Sequence, residues 1–299
     1  MKASAIHTFF KSLKPSLVLL RKNDPLRLAG ATAFFTTFAL PPIVFILAQL
    51  FGLFIGRRNV GRGLVENLSG VFGKAGAEQV RDVIRSIRGF SDTWYVIIIG
   101  FVFLLFVATT LFKVIKDSLN QIWHIGIKEK PGIVFQLISR LRSFAVILFV
   151  GILFFADLFF KSIQLLGSKY LDALWSGSGA YFQSAFSRVA GIILVSAWFI
   201  LLFRFLADGH PKWKASIAGG LLSGILFSIG ALLLRVLLVD SNVGTLYGAA
   251  GSFVLILLFV FYSSFILYYG ASFVSVYSDK MNWEIILREK AYRMSEPGF

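Results

Sequence analysis

Asp157 and Lys161 stand one helical turn apart in "LFFADLFFKSIQ", and Arg235 stands in "ALLLRVLLVD", so acid and base are both set among apolar neighbours. An ionisable side chain inside a membrane span costs at least a few kcal/mol unless it is paired or wet, which makes each one a functional candidate. Two readings stand for the trio. Asp157 and Arg235 form a reversible pair that gates or binds a charged solute, or Asp157 pairs with Lys161 to fix helix rotation while Arg235 snorkels outward. Hydrolytic chemistry has less to work with. A metal-dependent hydrolase needs clustered His and carboxylates, whereas His7, His124 and His210 lie far apart in no metal-ligand spacing. With no nucleophile motif and no phosphate-cradling glycine loop, the chain reads as a non-enzyme without cofactor or metal. His124 and His210 are expected as solvated residues in cytoplasmic connections. Arg204, Lys113 and Lys116 are expected as interface anchors near cytoplasmic helix ends.

Backbone chemistry supplies a second candidate. In "TTFALPPIVFI", Pro41 and Pro42 leave the carbonyls of Thr37 and Phe38 without helical donors. Within lipid such a break must be satisfied from inside the protein, with the hydroxyls of Thr36 and Thr37 as local partners. Transporters place discontinuous helices of this kind at their binding sites, and a kink that only improves packing is the alternative. In "NVGTLYGAAGS", Tyr247 beside Gly248 is either an interfacial aromatic or part of an outer vestibule. Ser216, Gly220, Gly224 and Ser228 recur every fourth residue, with Ala215, Gly219 and Ser223 as an adjoining small row. Another helix can approach such a surface closely, within the bundle or between the protomers of a homo-oligomer.

These residues need a scaffold, and composition says which kind. The 299 residues are 57% hydrophobic with only 15% charged, and mean hydropathy is +0.78, too apolar for a soluble domain of this length. The fold class expected is all-α, a polytopic helical membrane protein of six transmembrane helices in a single domain, 1–299. The spans are placed at Leu26–Gly56, Trp94–Ile115, Phe144–Leu166, Val189–Leu206, Ala215–Val239 and Leu246–Val276. Lys and Arg beside the spans put both termini in the cytoplasm. Residues 1–25 form a cytoplasmic amphipathic segment with Ile6, Phe9, Phe10 and Leu13 beside Lys11 and Lys14, suited to an anionic leaflet. Residues 57–92 read as an outer amphipathic hairpin or a solvated loop, and 277–299 as a cytoplasmic tail. A net charge of +15 would suggest nucleic acid in a soluble chain. Here the cations are membrane-proximal and lack a matching array of exposed aromatics, so nucleic acid is not an expected partner. The bilayer, anionic lipids at the cytoplasmic face and a small solute are.

Three stretches carry a resemblance to a known family. "ATAFFTTFALPPIVFILAQLFG" resembles the first span of the YihY/BrkB family of bacterial inner-membrane proteins, with Ala33, Phe34 and Phe35 at the Ala-Tyr-Tyr positions and Pro42 at the family proline. "PKWKASIAGG" resembles the Trp-containing lead into the fifth span, and "LYGAAGSFVLILLFVFYSSFILYYGASF" the Tyr-Gly stretch that opens the sixth. Phe34 and Phe35 lack the phenolic hydroxyls, and Ser272 stands where the family usually has glutamate. The resemblance implies a multi-pass protein of the bacterial inner (plasma) membrane, described as a transporter or as a serum-resistance factor and once named a ribonuclease. The function expected is an inner-membrane transporter or solute-binding permease. A non-transporting envelope role is the alternative, and ribonuclease a distant third that the scattered histidines oppose.

Overall fold

The computed structural model describes residues 2–39, 94–127, 152, 178–234, 251–288 and 291–294. Among these residues three stretches are long and apolar enough to cross a membrane, Arg188–Leu206, Trp213–Leu234 and Val254–Lys280. They overlap the last three of the expected spans. The hairpin at 57–92 and, but for Ile152, the span at Phe144–Leu166 lie outside the described residues.

Helix α1, Lys2–Lys22, carries Pro15 in its interior. A proline there cannot supply the N–H that would reach the Lys11 carbonyl. Lys280 takes the vacancy, its Nζ donating to that oxygen at 2.5 Å. Ser12 and Ser16 are fully buried and turn their hydroxyls back onto the carbonyls of Thr8 and Ser12, at 2.7 and 2.6 Å. With so little bulk in the way α1 lies against the last helix, where Phe9 meets Phe273 at 4.8 Å and the Tyr269 hydroxyl donates to the Leu13 carbonyl at 3.1 Å. Ile6 and Phe10 face outward, each 64% exposed. The apolar face expected of this segment is therefore shared between protein and surroundings.

Asn23 closes α1 by donating from Nδ2 to the Leu19 carbonyl at 3.0 Å, and Asp24 then turns the chain at φ 50°. Helix α2, residues 25–39, opens with Pro25, a first-turn position where a missing N–H costs nothing. It buries Leu28, Ala29, Thr32, Ala33 and Ala39, and directs Phe34, Phe35 and Phe38 outward. Helix α3, Trp94–Ile122, runs two turns beyond the expected span end at Ile115. Helix α4, Ser178–Leu201, continues into a π-helical turn, Leu202–Leu206. Helix α5, Trp213–Leu234, follows Pro211, and helix α6, Gly251–Lys280, is the hub that packs on α1, α3 and α5.

The described residues are mostly helical, as expected, and among them four short strands tie the connections to the C-terminal segment. β1, Ile125–Ile127, pairs antiparallel with β4, Ala291–Arg293, and β2, Gly209–His210, with β3, Ile286–Leu287. Elements of two or three residues carry no readable periodicity. Of the segment 277–299, Tyr277 to Lys280 complete α6, and the described residues beyond fold back over the ends of α3 and α4.

Candidate functional site

The two extra turns of α3 bring Lys116 and Asn120, four residues apart and so on one face, into the bundle. Asp208 meets them from the connection after the π turn. Lys116 Nζ lies 2.9 Å from Asp208 Oδ2, with both side chains about 5% exposed or less. Asn120 engages the same residue twice. Its Nδ2 donates to Asp208 Oδ2 at 2.8 Å, and its Oδ1 accepts from the Asp208 backbone N–H at 2.9 Å. The Asp208 carbonyl in turn accepts from the Arg288 N–H at 3.0 Å. This polar knot joins α3, the end of α4 and the C-terminal segment. The expectation that Lys116 is an interface anchor is thereby corrected, because the helix continues past the apolar stretch and delivers the ammonium to an acid 92 residues further on.

Other faces of α3 and its neighbours carry further polar groups. Thr32 Oγ1 of α2 is hydrogen-bonded to the Tyr268 hydroxyl of α6, a side chain fully buried, and Ser118 of α3 contacts the same phenol. Trp123 Nε1 donates to the Ala271 carbonyl at 2.9 Å. Asp117, one residue past Lys116, has its carboxyl pushed above the ordinary value by burial; Lys113 and Lys116 pull it down, less strongly, and Asp208 adds to the rise.

The π turn explains the behaviour of His210. The last carbonyls of a helix lack intrahelical partners, and here the helix ends in the π turn. His210 Nδ1 sits 2.8 Å from the Arg204 carbonyl, and Arg288 donates to the Phe205 carbonyl at 3.3 Å and from Nε to His210 Nε2 at 3.1 Å. His210 is thus a half-buried cap, a correction to the solvated residue expected. His124 is also half-buried. It ends α3 at φ 53° and accepts from Met294 N–H at 2.7 Å. Arg204 donates to the Pro211 carbonyl and lies over the Trp213 ring, 5.1 Å from its centre.

Of the residues singled out for a path, Thr36 and Thr37 are described. Their hydroxyls donate to the carbonyls of Thr32 and Ala33, at 2.7 and 2.8 Å, one turn before the carbonyls that the prolines strip. Pro41, Pro42, Asp157, Lys161, Arg235, Tyr247 and Gly248 lie outside the described residues. The small-residue rows are in view. A Cβ on Gly220 would come within 3.1 Å of Ile200 backbone atoms and one on Gly224 within 2.9 Å of Ser196 Cα, so this row lies on α4. Gly219 faces Val274, and Gly270 faces Ser223, so the second row lies on α6. Ser228 donates to the Gly224 carbonyl at 2.8 Å. The hydroxyls of Ser196, Ser216 and Ser223 are buried with no hydrogen-bond partner among the described residues. Among the described residues no three His, Asp or Glu side chains gather into a metal-binding group.

Long apolar helices joined at small-residue seams, with a charged knot at one end, define a helical membrane protein. The chain belongs to the family described as virulence factor BrkB, whose model matches residues 19–294. It is 21% identical over 256 residues to a UPF0761 membrane protein of Vibrio vulnificus, covering 85% of this chain and 78% of that one. With a UPF0761 membrane protein of Photobacterium profundum it shares 22% over 285 residues, 93% of this chain and 86% of the relative. The corresponding protein of Haemophilus influenzae is 24% identical over 261 residues, 86% of this chain and 91% of its own length. No solved structure matches the chain.

Proposed function

We propose that this BrkB-family protein crosses the bacterial inner membrane six times with both termini in the cytoplasm, and that it binds and moves a small solute without acting as an enzyme. The observation that carries the reading is the buried Lys116–Asp208 pair at 2.9 Å. A desolvated ion pair contributes little net stability compared with apolar packing. A charge contact between one helix and the connection leaving another, on the other hand, is a means of opening and closing a route. The hydroxyls of Thr32, Tyr268 and Ser118 form a second buried polar contact, joining α2, α6 and α3. The π turn beside Asp208 adds to this, since such turns cluster at functional sites. The route expected around Pro41, Asp157 and Arg235 falls on residues outside those described.

The test is solute flux. Purified full-length protein is reconstituted into liposomes, which are shocked with a panel of small solutes while light scattering follows reswelling. At least one solute should enter faster than into empty liposomes, and Asp208→Asn should abolish the difference. Rates equal to those of empty liposomes across the panel would remove transport.

A second reading has its own observation. Asp208 is engaged through its carboxylate, N–H and carbonyl, by Lys116, Asn120 and Arg288 respectively. Such saturation suits a structural lock in a non-transporting envelope protein, and it predicts loss of folded protein in Asp208→Asn with no flux in either form.

A further inference from the structure

The knot uses one side of the α4–α5 connection; among the described residues the other side is open. Trp213 begins α5 about half exposed, Phe205 packs edge-on against it at 5.8 Å, and Arg204 covers its ring. Lys212 and Lys214 flank it, both exposed, Lys212 with its Nζ 6.0 Å from the centre of the Trp283 ring, and the first turn of α5 contains no acid. Helix starts favour negative charge because their free N–H groups and aligned peptide dipoles leave a positive end. This one adds cations instead, and among the described residues neither lysine has a carboxylate within ion-pair distance. Below Trp213, Ile217, Leu221 and Ile225 follow at every fourth position, all exposed. From Trp213 to Ile225 the helix covers about 18 Å at about 1.5 Å per residue, close to the depth of one leaflet, half of a roughly 30 Å hydrocarbon core.

We infer that this face of α5 is a binding site for an anionic glycerophospholipid. Its phosphate sits between Lys212 and Lys214 at the start of the helix, its glycerol backbone beside Trp213, and an acyl chain along Ile217, Leu221 and Ile225. Charge complementarity selects the headgroup, and the unbroken apolar row selects a lipid over a free anion. The Arg204–Trp213 stack fixes the level of the ring, as interfacial aromatics do.

The experiment is native mass spectrometry of the full chain released from nanodiscs of equimolar phosphatidylglycerol and phosphatidylcholine. Wild type should retain phosphatidylglycerol preferentially, and Lys212→Gln/Lys214→Gln should lower that retention about tenfold with unchanged thermal unfolding. A matched loss of charge on α1, Lys11→Gln/Lys14→Gln, should leave it intact. Equal retention of the two lipids would show no headgroup selection, equal loss in the two double variants would reduce the effect to net charge, and either would overturn the site. Displacement of the lipid by millimolar inorganic phosphate would show a free-anion site and overturn it too. If Lys212→Gln/Lys214→Gln unfolds, Leu221→Ser replaces it, with the same loss expected and unchanged retention as the contrary result.

Discussion

The α5 seam and the Lys116–Asp208 knot both hold helices together, and they do so by opposite means. Along the seam, Gly219, Gly220 and Gly224 remove side chains so that α4 and α6 reach the α5 backbone, and three serine hydroxyls stay unpartnered among the described residues. In the knot, a buried ammonium, a carboxylate, an amide and two backbone groups each have a partner within 3.0 Å. Close packing tolerates an idle hydroxyl at a cost of about 1–3 kcal/mol each, whereas an idle charge in the same place costs more. The seam can therefore remain a passive surface, while the knot works only as a whole.

The sharpest way to break the comparison is to remove one charge. Asp208→Ala strands Lys116 among buried neighbours and should destabilise the protein by about 3–5 kcal/mol, read from denaturant unfolding in mixed micelles. Lys116→Met/Asp208→Leu should lose distinctly less, because neither charge is left behind. Were the double variant as damaged as Asp208→Ala, the hydrogen bonds of Asn120 and not the ion pair would hold the knot.

The seam should answer to volume and not to charge. Gly220→Val places branched bulk against the Ile200 backbone, which cannot yield as a flexible side chain would. A loss of about 1–3 kcal/mol is expected in the same assay. Ile217→Val, on the exposed face of the same helix, should stay within about 0.5 kcal/mol. Equal effects at the two positions would mean that the small-residue rows are not contact surfaces.

The two regions also differed in how far they could be read beforehand. Gly219, Gly220 and Gly224 announce themselves because their signal is local, a spacing of four within one helix. Nothing local joins Lys116 to Asp208, since the pairing arises only when α3 outruns its apolar stretch and the π turn swings the connection inward. Asn120, four residues after Lys116, was a legible hint of a shared polar face, as was the lone acid of "RFLADGH". His210 and Arg288 were hidden for a different reason. They cap carbonyls of the last helical turn from positions the sequence does not single out as caps, and no residue pattern marked the π turn. Hydropathy found the long helices of the C-terminal half; it passed over the strands, which rest on backbone pairing between β1 and β4 and between β2 and β3.

Asp117 stands beside the knot without joining it, and gives the smallest and most pH-specific effect. Burial raises its carboxyl above the ordinary 3.8, outweighing the pull of Lys113 and Lys116. A raised acid binds its proton more readily in the folded protein than in the unfolded chain, so stability falls as pH climbs from below 3.8 through the raised value, and remains lower above it. Asp117→Asn has no proton to lose. It should therefore be more stable than wild type at neutral pH, by less than about 1 kcal/mol because the carboxylate is partly open to water. The advantage should vanish below the ordinary value, where both side chains are neutral. Thermal unfolding of the two proteins across that range provides the measurement. A variant less stable at neutral pH would show that the attraction of Lys113 and Lys116 outweighs burial, and would make Asp117 a working member of the knot.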